Sequence, residues 1–213
     1  MNFLLMLPGA FLAPILHEWV KAMVSRALGD PVPKNSGFLS WNPIKYFEPI
    51  GFILMMAVGV GWGRPVPTSP LYYKDRRMGT ILTYTAPIVA NLLVGMLVAF
   101  IWRVVFVDSL FTWAQITLYE TGATWPITWT FYLNMAVRLF AQMNIGLAVF
   151  SLIPVFPLAG SKLLQLFASS ETNMRMMHNE KMMQFILMIT LMFGVLQMLI
   201  FPIRDFILNL VWM

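Results

Sequence analysis

Three side chains early in the chain have the types and spacing to act together: His17, Glu18 and Lys21, in the stretch "HEWVK". Two residues four apart on a helix lie on one face, about 40° apart around the axis, so imidazoles at both places can offer two ligands to one zinc ion. A glutamate beside the first imidazole is then placed to act as general base on metal-bound water. Here the second place is taken by Lys21. A protonated amine has no lone pair to donate and repels a cation. Within an apolar span, Glu18 alone would be an unpaired carboxylate, costly to keep charged. Lys21 stands three residues on, on nearly the same face, so a Glu18–Lys21 ion pair is expected, with His17 able to join through a hydrogen bond. In that arrangement the ammonium supplies the positive charge a metal would have brought. The competing expectation is that Lys21 snorkels to the headgroups and pairs with nothing.

These residues must be held by apolar elements. Of 213 residues, 59% are hydrophobic and 11% charged, with a mean hydropathy of +0.74. A soluble domain of this length needs far more polar surface, so the expected class is an all-α polytopic membrane protein. Cysteine is absent, which excludes disulfides, thiolate metal sites and a cysteine nucleophile. The net charge of +5 is spread over short loops with no basic patch of interleaved aromatics, so nucleic acid is not an expected partner. The opening "MNFLLMLPGAFLAPIL" carries no cation ahead of its apolar run and is read as a retained span.

Four stretches reach the length of about 20 residues that crosses a bilayer: Met1 to about Leu28, Met78 to Trp102, a span within Thr128 to Leu158, and Met182 to Ile203. "PIGFILMMAVGVGWG" (49–63) is too short and glycine-rich for a span and is expected to be re-entrant or interfacial. The terminal "RDFILNLVWM" is expected as an interfacial helix or packed tail. Loop cations cluster at Lys21, Arg26, Lys34 and Lys45, at Arg64, Lys74, Arg76 and Arg77, and at Lys162, Arg175 and Lys181, whereas 103–127 has only Arg103 beside Asp108 and Glu120. The excess of cations puts the 21–78 and 160–181 loops in the cytoplasm and both termini outside. The expectation is one integral membrane domain over 1–213, with a core at about 12–166 and a methionine-rich span and tail at 182–213.

Further stretches follow "HEWVK" in order: "LGDPVPKNSGFLSWNPIKYFEPIGFI" (28–53), "GWGRPVPTSP" (61–70), "TAPIVANLL" (85–93) and "NIGLAVFSLIPVFPLAGSKLL" (144–164). Together they closely resemble the site-2 protease family of intramembrane zinc metalloproteases, in its compact bacterial type without a PDZ domain. The family pattern runs HExxH, LGDP…NP…DPIG, GWxxPVP, GPxxN and NLxPxxPLDG, and the resemblance covers about Leu12 to Leu166. It implies a site-2-protease-like core and a zinc ion held by two histidines of the first motif and the aspartate of the last.

The departures fall on that ligand set. The second histidine is Lys21, the aspartate is Ala159, and the asparagine opening the last motif is Ser151. In the GPxxN motif the glycine is Ala86, and Pro87 precedes Asn91 by four residues instead of three. Scaffold positions hold better, among them Asn42, Gly51, Trp62, Pro65, Pro67, Asn144, Pro154, Pro157 and Gly160. Zinc lowers the pKa of bound water from about 15.7 to about 7, a differential of roughly 12 kcal/mol, and a catalytic site usually needs three protein ligands. The resemblance therefore implies a degenerate site at His17, Glu18, Lys21, Asn91 and Ala159, a pseudoprotease with no catalytic residues, no metal and no cofactor. The alternative is an active metalloprotease with a rearranged ligand set, for which His178 is the remaining histidine.

Other features have plainer readings. "MRMMH" (174–178) could suit copper(I), but methionine is common in this chain, 18 in all, and suits apolar packing. Arg138 in the third span is expected to snorkel at the outer face. The prolines of "IPVFP" (153–157) break the helix and serve as scaffold. Trp113, Tyr119, Trp125, Trp129 and Tyr132 form either an interfacial belt or a contact surface. The expected role is a structural, assembly or regulatory subunit in a bacterial inner membrane, with lipid and other transmembrane helices as partners; a small transporter or channel has little support.

Overall fold

A computed structural model describes residues 2–40, 42–107 and 124–212. Asp108, Trp113, Tyr119 and Glu120 lie outside them, and so do the side chains of Trp125 and Trp129. Among the described residues the chain is helical, with no strand. Three helices are long and apolar enough to cross a membrane: α1 (Asn2–Ala27), α3 (Arg76–Trp102) and α4 (Thr124–Ser151). They carry the first three expected spans. Between α1 and α3 lies α2 (Pro49–Val58), followed by an irregular run to Ser69, so the 49–63 stretch is a short helix and not a span.

The fourth expected span is broken into two helices. Residues 182–203 do not form one straight helix with a separate tail. The chain forms α7 (Glu180–Met192) and α8 (Gln197–Trp212), bent by 69° at the break between them. Gly194 adopts φ +76° there, a left-handed conformation that ends a helix at little cost only for glycine. The expected tail is simply the later half of α8. The topology therefore holds three spanning candidates, or four if the bent pair counts as one.

α1, α3 and α4 pack on one another, and α8 leans on α3 and α4. The core between them is apolar: Met55, Val60, Phe150, Leu191 and Ile200 are all buried, and Trp62 stacks on Phe150 with ring centroids 6.5 Å apart. At the end of α1 the loops are latched by a buried carboxylate. Asp30 accepts from Ser25 Oγ at 2.8 Å, from the Val32 amide at 2.9 Å and from the Ser69 amide at 2.7 Å. Three charge-assisted bonds satisfy a fully buried acid and tie the 28–35 loop to the segment after α2.

The proline stretch 153–157 ends α4 at Ser151 and turns the chain back through bends into α5 (Ala159–Gln165). A residue preceding proline is driven out of the helical region, so the break is written locally. Gly160 then lies against backbone. A Cβ at this position would meet the Leu152 carbonyl oxygen, and the Ile153 carbonyl oxygen at 2.5 Å. Only glycine allows α5 to start this close to the end of α4. α6 (Ser170–His178) follows with Ser169 as its cap.

Candidate functional site

The tight turn at Gly160 brings Ala159 opposite α1. His17, Glu18, Lys21 and Ala159 line one small cavity, together with Tyr84 of α3 and Ser151 at the end of α4. It has about 20 Å³ of room for a water centre, enough for about one molecule. His17, Glu18 and Lys21 are 6–8% exposed. Lys21, counted above among loop cations, is thus an interior residue of α1 and does not snorkel. Its Nζ donates to Glu18 Oε2 at 3.2 Å and lies 5.1 Å from the centre of the Tyr84 ring. The Val66 amide, from the "PVP" segment, donates to the same oxygen at 2.7 Å. A buried carboxylate therefore receives a neighbouring ammonium and a backbone N–H, the kind of partners burial demands.

Asn91 stands behind His17. Its Nδ2 donates to the Ala13 carbonyl and to Asn144 Oδ1, each at 3.0 Å, and Asn144 Nδ2 donates to the Phe140 carbonyl at 2.9 Å. Both amide protons of Asn91 are thereby used, so its Oδ1 is left as an acceptor. His17 Nδ1, 3.1 Å away, is therefore a nitrogen that carries a proton toward that oxygen. This knot joins α1, α3 and α4 through buried polar groups. It also fixes the tautomer and orientation of the imidazole, the role an outer partner plays for a metal-bound histidine.

The five residues singled out in the sequence, His17, Glu18, Lys21, Asn91 and Ala159, thus come together. Four line the cavity and Asn91 orients the first of them. His178 does not join: it is exposed at the end of α6 and lines no part of this cavity. The methionines beside it, Met174 and Met177, are 70% and 61% exposed, and among the described residues no three His, Cys, Asp or Glu side chains gather into a group suited to a metal. Arg138 sets its guanidinium 5.7 Å from the Trp102 ring centre.

A zinc ion, which the resemblance implies, does not fit these residues. The cavity offers one imidazole and one carboxylate, and that carboxylate already accepts from Lys21 and Val66. Ala159 has no donor atom, and the ammonium of Lys21 opposes a cation. Two members of the site escaped the sequence reading. Tyr84 stands seven residues before Asn91, two turns back on the same helical face, and that spacing was a usable signal. The Val66 amide had none, because it is backbone.

One known protein resembles the chain at a distance. A Bacillus subtilis (strain 168) protein named "Putative zinc metalloprotease YwhC" is 29% identical over 150 residues, which is 70% of this chain and 63% of that protein. The match therefore spans less than two thirds of that relative. No family model matches the chain, and no solved structure does. The similarity supports a site-2-protease-like family, in keeping with the ordered motifs, and with several apolar helices it indicates an integral membrane protein.

Proposed function

We propose that this chain is a site-2-protease-like membrane protein that has given up zinc and peptidase activity and works by binding other transmembrane segments. It serves as a structural, assembly or regulatory subunit of a larger complex in a bacterial inner membrane, with the segment between α1 and α3 and the 160–181 segment in the cytoplasm. One observation carries the reading: Lys21 donates to Glu18 at 3.2 Å inside the cavity shared with His17 and Ala159. Where the family pattern has a second histidine and an aspartate, this chain has a cation and a methyl group. Glu18, the residue that would act as base, has its charge neutralised by the lysine. The apolar surfaces left on the helices, such as Leu93, Leu97 and Phe100 along α3, are the kind of surface on which partner helices pack through dispersion contacts.

Metal analysis of the purified protein tests the loss of zinc. The expected content is well below one zinc per chain, unchanged in His17→Ala. The double variant Lys21→His/Ala159→Asp, which returns both missing ligands to a cavity where His17 is already oriented, is expected to acquire about one zinc. Stoichiometric zinc in the wild type, lost with His17 and required for peptide-bond cleavage, overturns the proposal. Purification in mild detergent with identification of co-migrating membrane proteins tests the subunit role, and recovery only as a monomer counts against it.

A further inference from the structure

Beside the small cavity lies a larger one of about 640 Å³, at the end of α3 where that span begins. Lys21, Arg76, Arg77 and Lys162 line it, and among the described residues no acidic side chain does. Two of these cations are partly compensated: Lys21 holds Glu18, and Lys162 Nζ stands 3.9 Å from Glu180. Arg76 and Arg77 have no carboxylate partner for their side chains among the described residues. Asp75 beside them caps the helix, its Oδ1 accepting from the amides of Arg77 and Met78. The Arg77 guanidinium is held 5.1 Å from the Phe167 ring centre.

The same helix continues into an apolar groove. Tyr84 lines the cationic cavity, while Ile88 and Leu92, one and two turns further, line a second cavity of about 350 Å³ walled entirely by apolar residues. The turn between α4 and α5 also walls both, with Phe156 in the first and Ile153 in the second. Cationic head space and apolar groove thus follow one another along α3. We infer that the pair forms a binding site for an anionic phospholipid, with its phosphate held by Arg76 and Arg77 and an acyl chain along Ile88 and Leu92. Arginine forks match phosphate oxygens, and basic pockets between membrane helices take anionic headgroups. A soluble phosphate would have no use for the groove. A partner helix would bring no anion to these cations unless its flank were acidic, and the test below separates that case from a lipid.

The test titrates the full chain in mild detergent with phosphatidylglycerol and with phosphatidylcholine of matched acyl chains, read by native mass spectrometry. One phosphatidylglycerol is expected to bind more tightly than phosphatidylcholine. Each cation near a headgroup contributes about fivefold, so Arg76→Gln/Arg77→Gln should weaken it about thirtyfold. Arg175→Gln, at an exposed arginine paired with Glu171 away from the cavity, leaves it unchanged. Should the double variant fail to fold, Lys162→Gln carries the test, with a loss of about fivefold. Equal binding of the two lipids, or unchanged affinity in the folded variants, overturns the inference. So does glycerol 1-phosphate binding as tightly as the lipid, or displacement of the lipid by a transmembrane peptide with acidic flanks.

Discussion

Replacing Lys21 by methionine keeps an unbranched apolar stem, one atom shorter, and removes the charge. Lys21 and Glu18 are both under a tenth exposed and 3.2 Å apart. At that separation, with an effective dielectric of about 20, the gross Coulomb attraction is about 5 kcal/mol, against which both ions pay desolvation. The lysine-free protein keeps the desolvation of Glu18 and loses the attraction. Breaking a buried pair from one side typically destabilises by about 3–5 kcal/mol. For a chain of this size about 2–4 °C of melting temperature goes with each kcal/mol, so Lys21→Met should melt about 6–20 °C lower. Glu18→Gln/Lys21→Met removes both charges, and the glutamine oxygen can still accept the Val66 amide. Replacing a whole buried pair is often neutral, so the double variant should melt within about 4 °C of wild type. Melting of the purified proteins in one detergent at neutral pH, followed by tryptophan fluorescence, measures all three. A Lys21→Met protein that melts within about 2 °C of wild type, or a double variant that melts as low as the single one, excludes a stabilising Glu18–Lys21 pair.

Asn91→Ala leaves the Nδ1 proton of His17 and Oδ1 of Asn144 without a partner, and should cost about 1–3 kcal/mol, seen as lowered melting in the same assay. Gly160→Ala drives a methyl group into the carbonyls of residues 152 and 153; it should reduce the yield of folded protein sharply, measured as the monodisperse fraction in size-exclusion chromatography, whereas Ser161→Ala next to it loses only the bond to the Leu158 carbonyl and should cost about 1 kcal/mol.

Three of the span candidates were legible from composition, because runs of about 20 predominantly apolar residues have no other stable home than a bilayer or a core. The proline break after Ser151 was legible for an equally local reason. The bend at Gly194 was not, since glycine in an apolar run is also tolerated inside a helix and only packing decides which conformation it takes. Nor was the interior place of Lys21, whose long stem permits either a buried pair or a route to the headgroups.

By itself the sequence determined that this chain is built of apolar helices, and which polar residues would have to share one helical turn, since both depend on neighbours in the chain. That Ala159 faces His17, that Asn91 binds the imidazole, and that a backbone amide 48 residues away completes the partners of Glu18 were decided by the tertiary structure alone. Charges and amides in an apolar interior must find partners wherever the packing brings them, and that meeting has no fixed spacing in sequence.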